Sequence, residues 1–182
     1  MNELSLYILD LTQNSVSAGA KHILIRVRID PEKDLILVVI RDDGCGMDEA
    51  FLKRVVSPFT TTRTTRKVGL GIPMIKQLCE MCEGTFNIES QKGVGTTLSL
   101  SFKRSHVDLP PMGSLAETML SLINGTPDGV EFTFVYEFEE NCFEFKTEEI
   151  RQVLGEEVRL NMPDVLMWIR GYLEEGIQEA GK

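Results

Sequence analysis

Two acidic residues and two glycines follow an apolar segment in the first quarter of the chain. Residues 35–40 are all aliphatic, and Asp42, Asp43, Gly44 and Gly46 come after them within six positions. A carboxylate beside glycines can meet a flat ligand, because a residue without a side chain lets other groups approach the backbone closely. The pattern suits the amino group of a nucleobase, with Asp43 as the hydrogen-bond acceptor.

The stretch that follows is positively charged. Residues 51–79 contain no Asp or Glu, and they carry six cations: Lys53, Arg54, Arg63, Arg66, Lys67 and Lys76. Such a local excess of positive charge attracts phosphate groups. Residues 60–68 lack apolar periodicity and are interpreted as a loop, with a solvated loop that binds nothing as the alternative.

The elements around these residues predict an α+β fold. Helical spacing over residues 3–17 places Asp10 and Asn14 four positions apart, on one face of the helix. Apolar patterns predict further helices over 47–56 and 71–82, and strands over 22–29, 35–40, 85–90 and 96–103. In this order they predict a two-layer α/β sandwich, with helices stacked on one face of a mixed sheet.

The remainder of the chain predicts a small acidic α+β unit. We expect one domain over residues 1–103, a linker over 104–113 with two prolines, and the C-terminal unit over 114–182. The unit contains a predicted Phe-rich hairpin and a last helix. The apolar stripe of that helix, which covers either the hairpin or another chain, comprises Val165, Trp168, Ile169, Tyr172 and Leu173.

Charge and composition exclude several classes of protein. The net charge is −9, and residues 104–182 hold 6 Lys/Arg against 16 Asp/Glu, so no broad basic face is available for nucleic acid. No apolar run approaches the roughly 18 residues that span a bilayer. We expect a cytoplasmic protein without nucleic-acid or membrane partners.

Cys79 and Cys82 are interpreted as packing residues, with a redox or metal pair as the alternative.

Five motifs in a fixed order give a specific resemblance. They occupy residues 9–20, 43–47, 57–63, 69–72 and 93–97. In this order they resemble the N box, the glycine boxes and the Phe-rich box of the GHKL superfamily. This is the ATP-binding domain shared by sensor histidine kinases, MutL-type mismatch-repair proteins, type II topoisomerases and the ninety-kilodalton heat-shock chaperones. The resemblance covers residues 4–103.

The resemblance implies a Mg·ATP site. The residues that it implies in nucleotide contact are Asn14, Asp43, Gly44, Gly46, Met47, Arg63, Arg66, Lys67, Gly69, Leu70, Gly71, Thr96 and Thr97. Asp43 would accept a hydrogen bond from the adenine amino group, and Gly44 and Gly46 would let the base lie against the backbone. Thr96 or Thr97 would add a hydroxyl near the adenine.

At the phosphate end, the resemblance implies an oxygen from Asn14 on Mg²⁺, a hard cation that prefers such ligands. Arg63, with Arg66 and Lys67 beside it, would hold the terminal phosphate. The general base of the family is a Glu four residues before the Asn, and this chain has Asp10 there. A shorter carboxylate predicts slow hydrolysis, because misplacement by about 1 Å can cost on the order of 100-fold in rate.

Three functions follow as hypotheses. The first is a regulatory kinase or slow ATPase that acts on an unidentified protein partner docked through the acidic unit. The second is a non-catalytic switch, in which bound ATP orders residues 60–68 for a partner to recognise. The third is an adaptor that binds no nucleotide. The only histidines are His22 and His106, so autophosphorylation of the usual kind is not expected. A homodimer is left open.

Overall fold

The computed structural model describes residues 2–57 and 71–182, and within them the chain forms six helices and six strands. The helices are α1 (Leu4–Ser17), α2 (Glu49–Val56), α3 (Gly71–Met81), α4 (Leu115–Gly125), α5 (Thr147–Leu154) and α6 (Pro163–Ala180). The strands are β1 (His22–Asp30), β2 (Leu35–Asp42), β3 (Phe86–Gln91), β4 (Gly95–Lys103), β5 (Glu131–Phe138) and β6 (Asn141–Lys146). All predicted elements of the described regions are present, with small shifts at their ends. None of these helices is both long and apolar enough to cross a bilayer.

The described strands form a single mixed sheet in the order β3-β4-β2-β1-β5-β6. β1 and β5 are parallel, and the other neighbouring pairs are antiparallel. The predicted α+β class with a mixed sheet is therefore confirmed. The strands of the C-terminal unit extend the same sheet, because β5 lies directly against β1.

Side-chain alternation along β2 assigns its residues to two faces. Ile36, Val38 and Ile40 are buried against the helices, whereas Leu37 and Arg41 lie on the opposite face. Because successive side chains of a strand point to opposite sides, the side chains of Asp42 and Asp43, which follow Arg41, also point to opposite faces of the sheet. Asp42 belongs to the face that the helices cover, and Asp43 belongs to the other face.

The linker and the C-terminal unit hold α1 in place. The carbonyl groups of Pro111 and Met112 accept hydrogen bonds from the amide groups of Leu4 and Ser5, at 2.9 and 2.8 Å. These are two of the amides that have no partner within a helix. In α4, the Thr118 hydroxyl donates to the Ser5 carbonyl oxygen at 3.1 Å. The boundary at residues 104–113 stays a prediction, but the two parts share one sheet and one core.

The last helix divides the predicted apolar stripe between core and solvent. Ile169 and Leu173 are fully buried. The Tyr172 ring contacts the Phe143 ring on β6 at 5.6 Å between centroids. Trp168 is 54% exposed. The hairpin is therefore the element that the stripe covers, and Trp168 extends beyond it.

Two of the four cysteines pack in the core. Cys79 and Cys82 are free thiols and are fully buried. Burial raises the pKa of the Cys79 thiol to about 12. A thiol that stays protonated neither attacks a disulfide nor ligates a metal readily, so the packing interpretation is supported.

Candidate functional site

The carboxylate of Asp42 lies at the end of β2, under helix α1. Its Oδ2 accepts a hydrogen bond from the Ser15 hydroxyl at 2.6 Å, and its Oδ1 accepts one from the Gly44 amide at 2.9 Å. Ser15 is buried at 5% exposure, and Asp42 is half-buried. Each carboxylate oxygen has a second lone pair. Asp42 is therefore held in a fixed orientation and can still accept hydrogen bonds from a ligand.

Asp43 lies on the opposite face of the sheet and is bonded to the start of β1. Its Oδ1 accepts hydrogen bonds from the amides of Lys21 and His22 at 2.7 and 2.9 Å, and its Oδ2 lies 3.0 Å from Nδ1 of His22. The hydrogen bond from the His22 amide is the main reason that the pKa of Asp43 falls to about 2, against an opposing effect of burial. Both oxygens are thus engaged by β1.

Asp43, which is expected from the sequence to recognise the base, therefore has both carboxylate oxygens turned toward β1, and its role stays a prediction. A groove of about 480 Å³ is lined by Asp43 together with Arg41, Asp42 and Thr97. Of the two carboxylates, only Asp42 is hydrogen-bonded to a side chain of α1. The two carboxylates differ because side chains alternate between the two faces of the sheet along β2. Residues 35–40 are all aliphatic, so the sequence does not show this alternation.

Asp10 and Asn14 lie half-buried on α1, at the positions that the sequence predicts. A Cβ at Gly71 would overlap Oδ2 of Asp10, so this carboxylate lies against the first residue of α3. A helix N-terminus carries partial positive charge and favours an anion. The structure thus brings Asp10 and Gly71 together, and Asn14 is one helical turn away from Asp10.

Of the two candidate threonines, Thr96 lies on the same face as Asp42. The two residues are cross-strand partners of β4 and β2. The Thr96 hydroxyl is 2.8 Å from the Ser90 hydroxyl, which also accepts a hydrogen bond from the Met47 amide at 2.8 Å. Thr97 lies in the groove on the other face with Asp43. Sequence reasoning did not single out Ser90, and no motif identifies it.

The glycines around Asp42 are required by the packing of the chain itself. Gly46 has φ of 64°, and a Cβ there would overlap the Gln91 carbonyl oxygen. Gly95 has φ of 140°, and a Cβ there would overlap the Asp42 carbonyl oxygen. A Cβ at Gly44 would lie 3.0 Å from Oδ1 of Asp42. The contacts of Gly46 and Gly95 explain these two glycines without a ligand, because the segment after β2 lies against the β3–β4 hairpin there, whereas Gly44 lies against Ala18 and Asp42.

The predicted phosphate-binding residues other than Gly71 lie outside the described residues. They are Arg63, Arg66, Lys67, Gly69 and Leu70. Their roles stay predictions.

Oxygen ligands for a magnesium ion are available at Asp10 and Asn14. Residues 2–57 and 71–182 contain no cluster of three or more His, Cys, Asp or Glu side chains that could hold a metal alone. In the same part of the chain, no hydrogen bond or ion pair engages the Asp10 carboxylate. A hard cation with few protein ligands takes its other ligands from water and phosphate. The donor set therefore fits Mg²⁺ bound together with a nucleotide.

The family follows from a sequence comparison. The profile of the family described as "Histidine kinase-, DNA gyrase B-, and HSP90-like ATPase" matches residues 2–106. The chain belongs to this family. The matched region runs from α1 to the end of β4, and so it contains the helix with Asp10 and Asn14 and the strands with Asp42 and Thr96. The GHKL resemblance of the motifs is confirmed.

Curated relatives of this GHKL protein include proteins described as sensor kinases. It is 34% identical over 110 residues to the "Non-motile and phage-resistance protein" of Caulobacter vibrioides, covering 56% of this chain and 13% of that protein. It is 31% identical over 110 residues to "Sporulation kinase E" of Bacillus subtilis, covering 60% of this chain and 14% of that protein. The chain thus spans less than a fifth of the length of these relatives.

Among solved structures, the "N terminal domain of a DNA repair protein" has a similar fold, with a TM-score of 0.52 at 13% identity. The likeness covers 81% of this chain and 53% of that chain. At this identity the likeness shows the fold alone. Since it covers more of the chain than residues 2–106, it extends into the C-terminal unit of this GHKL protein.

Proposed function

We propose that this protein binds Mg·ATP between α1 and the ends of β2 and β4, and that it acts as a regulatory kinase or slow ATPase on a protein partner. The observation that carries the proposal is the Asp42 carboxylate, which Ser15 and the Gly44 amide hold in place. A fixed acceptor on the helix-covered face, inside the matched ATPase region, is the group that adenine recognition needs.

Base selectivity follows from the charge of Asp42. The 6-amino group of adenine donates a hydrogen bond to a carboxylate oxygen. Guanine carries a carbonyl oxygen at that position, so two acceptors would face each other without a proton between them. A mismatch of this kind leaves a polar group unpaired and is costly. Thr96 lies across from Asp42 and supplies a second polar group on the same face.

The phosphate end is assigned to α1 and α3. Asn14 would supply an oxygen to Mg²⁺, which would neutralise phosphate charge when bound. Backbone amides at the start of α3, beginning at Gly71, suit a phosphate group. Asp10 would accept the proton of an attacking water or hydroxyl. Arg63, Arg66 and Lys67 would hold the terminal phosphate, with Gly69 and Leu70 leading into α3.

A non-catalytic switch is the second candidate, and one contact favours it. Helix α1, which carries the proposed nucleotide ligands, is bonded to the C-terminal unit through Thr118 and Ser5. Any displacement of α1 by a nucleotide would be transmitted to α4. This route needs no phosphate transfer, and the shorter carboxylate at Asp10 suits a site with little turnover.

Calorimetric titration with ATP, ADP and GTP in the presence of Mg²⁺ tests the proposal. We expect heat with ATP and ADP, little with GTP, and none with Asp42→Ala. Absence of heat with both adenine nucleotides would end the proposal. Incubation with γ-labelled ATP, alone and with cell lysate, then separates the candidates. Free phosphate indicates an ATPase, a labelled protein band indicates a kinase, and binding with neither indicates the switch.

A further inference from the structure

An exposed aromatic surface lies on the last helix. Trp168 and Tyr172 are 54% and 41% exposed, and their rings stack at 5.3 Å with an angle of 8° between planes. Met167, beside them in sequence, is 73% exposed. We call these three residues the Trp168 face. Exposed Trp, Tyr and Met grouped together are unusual on a monomer surface and are typical of binding sites.

The Trp168 face adjoins an unpaired sheet edge. β6 is the last strand in the sheet and pairs only with β5 among the strands that the structure describes. Its outer edge therefore presents backbone donors and acceptors to solvent. Phe143 on β6 contacts Tyr172, and a Cβ at Gly176 would overlap the Phe143 ring. Gly176 thus lets α6 pack closely on β6, so the aromatic surface continues to the edge.

The surroundings of the face are negatively charged. The acidic residues of α6 form no ion pair with any residue in 2–57 or 71–182, and they are Asp164, Glu174, Glu175 and Glu179. The cation Arg170 is already paired with Glu117 at 3.1 Å. Residues 104–182 as a whole hold 16 acidic and 6 basic residues. A ligand of this surface therefore gains from positive charge.

We propose that β6 and the Trp168 face bind a basic, extended segment of a partner protein, which adds a strand to the sheet at β6. Backbone hydrogen bonds to the edge would give affinity, and an apolar side chain resting on Trp168 and Tyr172 would fix the register. A second copy of this chain does not suit the site, because two faces with the same net negative charge repel each other. The proposal does not depend on nucleotide binding.

Trp168 is the only tryptophan of the chain, so its fluorescence reports directly on this surface. The full chain is titrated with an acetylated ten-residue peptide of alternating Lys and Val. We expect a blue shift of the emission and weaker quenching by acrylamide. The alternating Glu and Val peptide should cause no change. The Lys and Val peptide with N-methylated backbone amides should bind at least about tenfold more weakly, because it cannot pair with a strand.

Substitutions on and away from the Trp168 face test where the peptide binds. Tyr172→Ala keeps the reporter and should weaken the peptide at least about tenfold, as should the exposed pair Glu174→Gln with Glu175→Gln. Met81→Ala is the matched control, because Met81 is 48% exposed on α3, which packs on β3 and β4 away from β6. Circular dichroism checks that each variant is folded, and ATP titration should be unchanged in all of them.

Four outcomes would overturn the proposal. The first three are no emission change with the Lys and Val peptide, equal binding of the Glu and Val peptide, and equal binding of the N-methylated peptide. A shift of the emission that depends on protein concentration alone, with a dimer in sedimentation, would assign the surface to self-association and also overturn it.

Discussion

The Ser15 hydroxyl and Oδ2 of Asp42 lie 2.6 Å apart and join helix α1 to the end of β2. The two residues are 27 positions apart in the chain, and Ser15 follows Asn14 directly. This hydrogen bond relates the proposed base-recognition carboxylate to the helix that carries Asn14, the proposed magnesium ligand. The Asp42 carboxylate is therefore oriented before a nucleotide arrives, and the cost of ordering it on binding is small.

Exchange of the two neighbouring carboxylates for amides tests which one recognises the base. Asp42→Asn keeps the size of the side chain but replaces one acceptor oxygen by a donor. Hydrogen bonds to charged groups contribute about 1.5–3 kcal/mol, so we expect ATP affinity to fall roughly 10- to 100-fold. Asp43→Asn should change the affinity less than about threefold. Calorimetry measures both. Loss of binding in Asp43→Asn alone would restore the assignment made from the sequence.

The low pKa of Asp43 predicts a pH dependence of stability. The pKa is about 2 in the folded protein and 3.8 for the free group, mainly because the His22 amide donates to the carboxylate. A depressed pKa stabilises the fold above about pH 4, and this contribution is lost as the pH falls toward 2. The Asp43 side chain is nearly half-exposed, so after solvent screening we expect this carboxylate to contribute about 1 kcal/mol to the free energy of unfolding.

Urea unfolding of the parent protein and of Asp43→Asn between pH 6 and pH 3 measures this contribution. The difference in the free energy of unfolding should be largest at pH 6 and should decrease below pH 4. A difference that grows as the pH falls would show that the hydrogen bonds from the Lys21 and His22 amides to Asp43 do not stabilise the fold.

Asp10→Asn separates binding from turnover. The amide has nearly the same shape and can still offer an oxygen, but it cannot accept a proton. Loss of a general base typically costs 10²–10⁴ in rate, so phosphate release or transfer should fall at least about 100-fold while ATP affinity changes little. Gln13→Ala, an exposed change on the same helix, serves as the control. Turnover that survives in Asp10→Asn would assign the proton to another group.

Gly71→Ala tests the contact between α1 and α3. The added methyl would overlap Oδ2 of Asp10, so the carboxylate must move away from the start of α3. We expect turnover to fall at least about tenfold, since a displacement of about 1 Å at a reacting group is costly. The fold should survive, because alanine is a better helix former than glycine.

Gly171→Ala in α6 is the matched control for that change, since a Cβ there meets no atom within 4 Å. It should leave turnover unchanged and raise the free energy of unfolding by roughly 0.5–1 kcal/mol. Equal turnover in the two variants would show that Asp10 does not act at the start of α3.

Local patterns in the sequence predict most of the elements but not all of their positions. The helix with Asp10 and Asn14 follows from apolar spacing and is present as α1. The choice between Asp42 and Asp43 depends on strand alternation. Residues 35–40 are apolar on both faces, so hydrophobicity alone does not show which face is covered. The bond between Ser15 and Asp42, on which our proposal for Asp42 rests, is a tertiary contact.

The place of the C-terminal unit could not be predicted for a related reason. β1 and β5 pair in parallel with Ile23 opposite Phe132, more than 100 residues apart in the chain. Parallel pairing over such a distance leaves no periodic trace in either segment. Composition alone suggested a separate acidic unit, whereas the strands continue the central sheet.

The carbonyl groups of Pro111 and Met112 that receive the first amides of α1 have a practical consequence for fragments of this protein. A truncation at residue 103 removes both acceptors and the Thr118 hydroxyl, and it also exposes the side of β1 that β5 covers. Fraying would then start at the helix that bears Asp10 and Asn14. A minimal nucleotide-binding fragment of this chain must therefore retain the segment through β5.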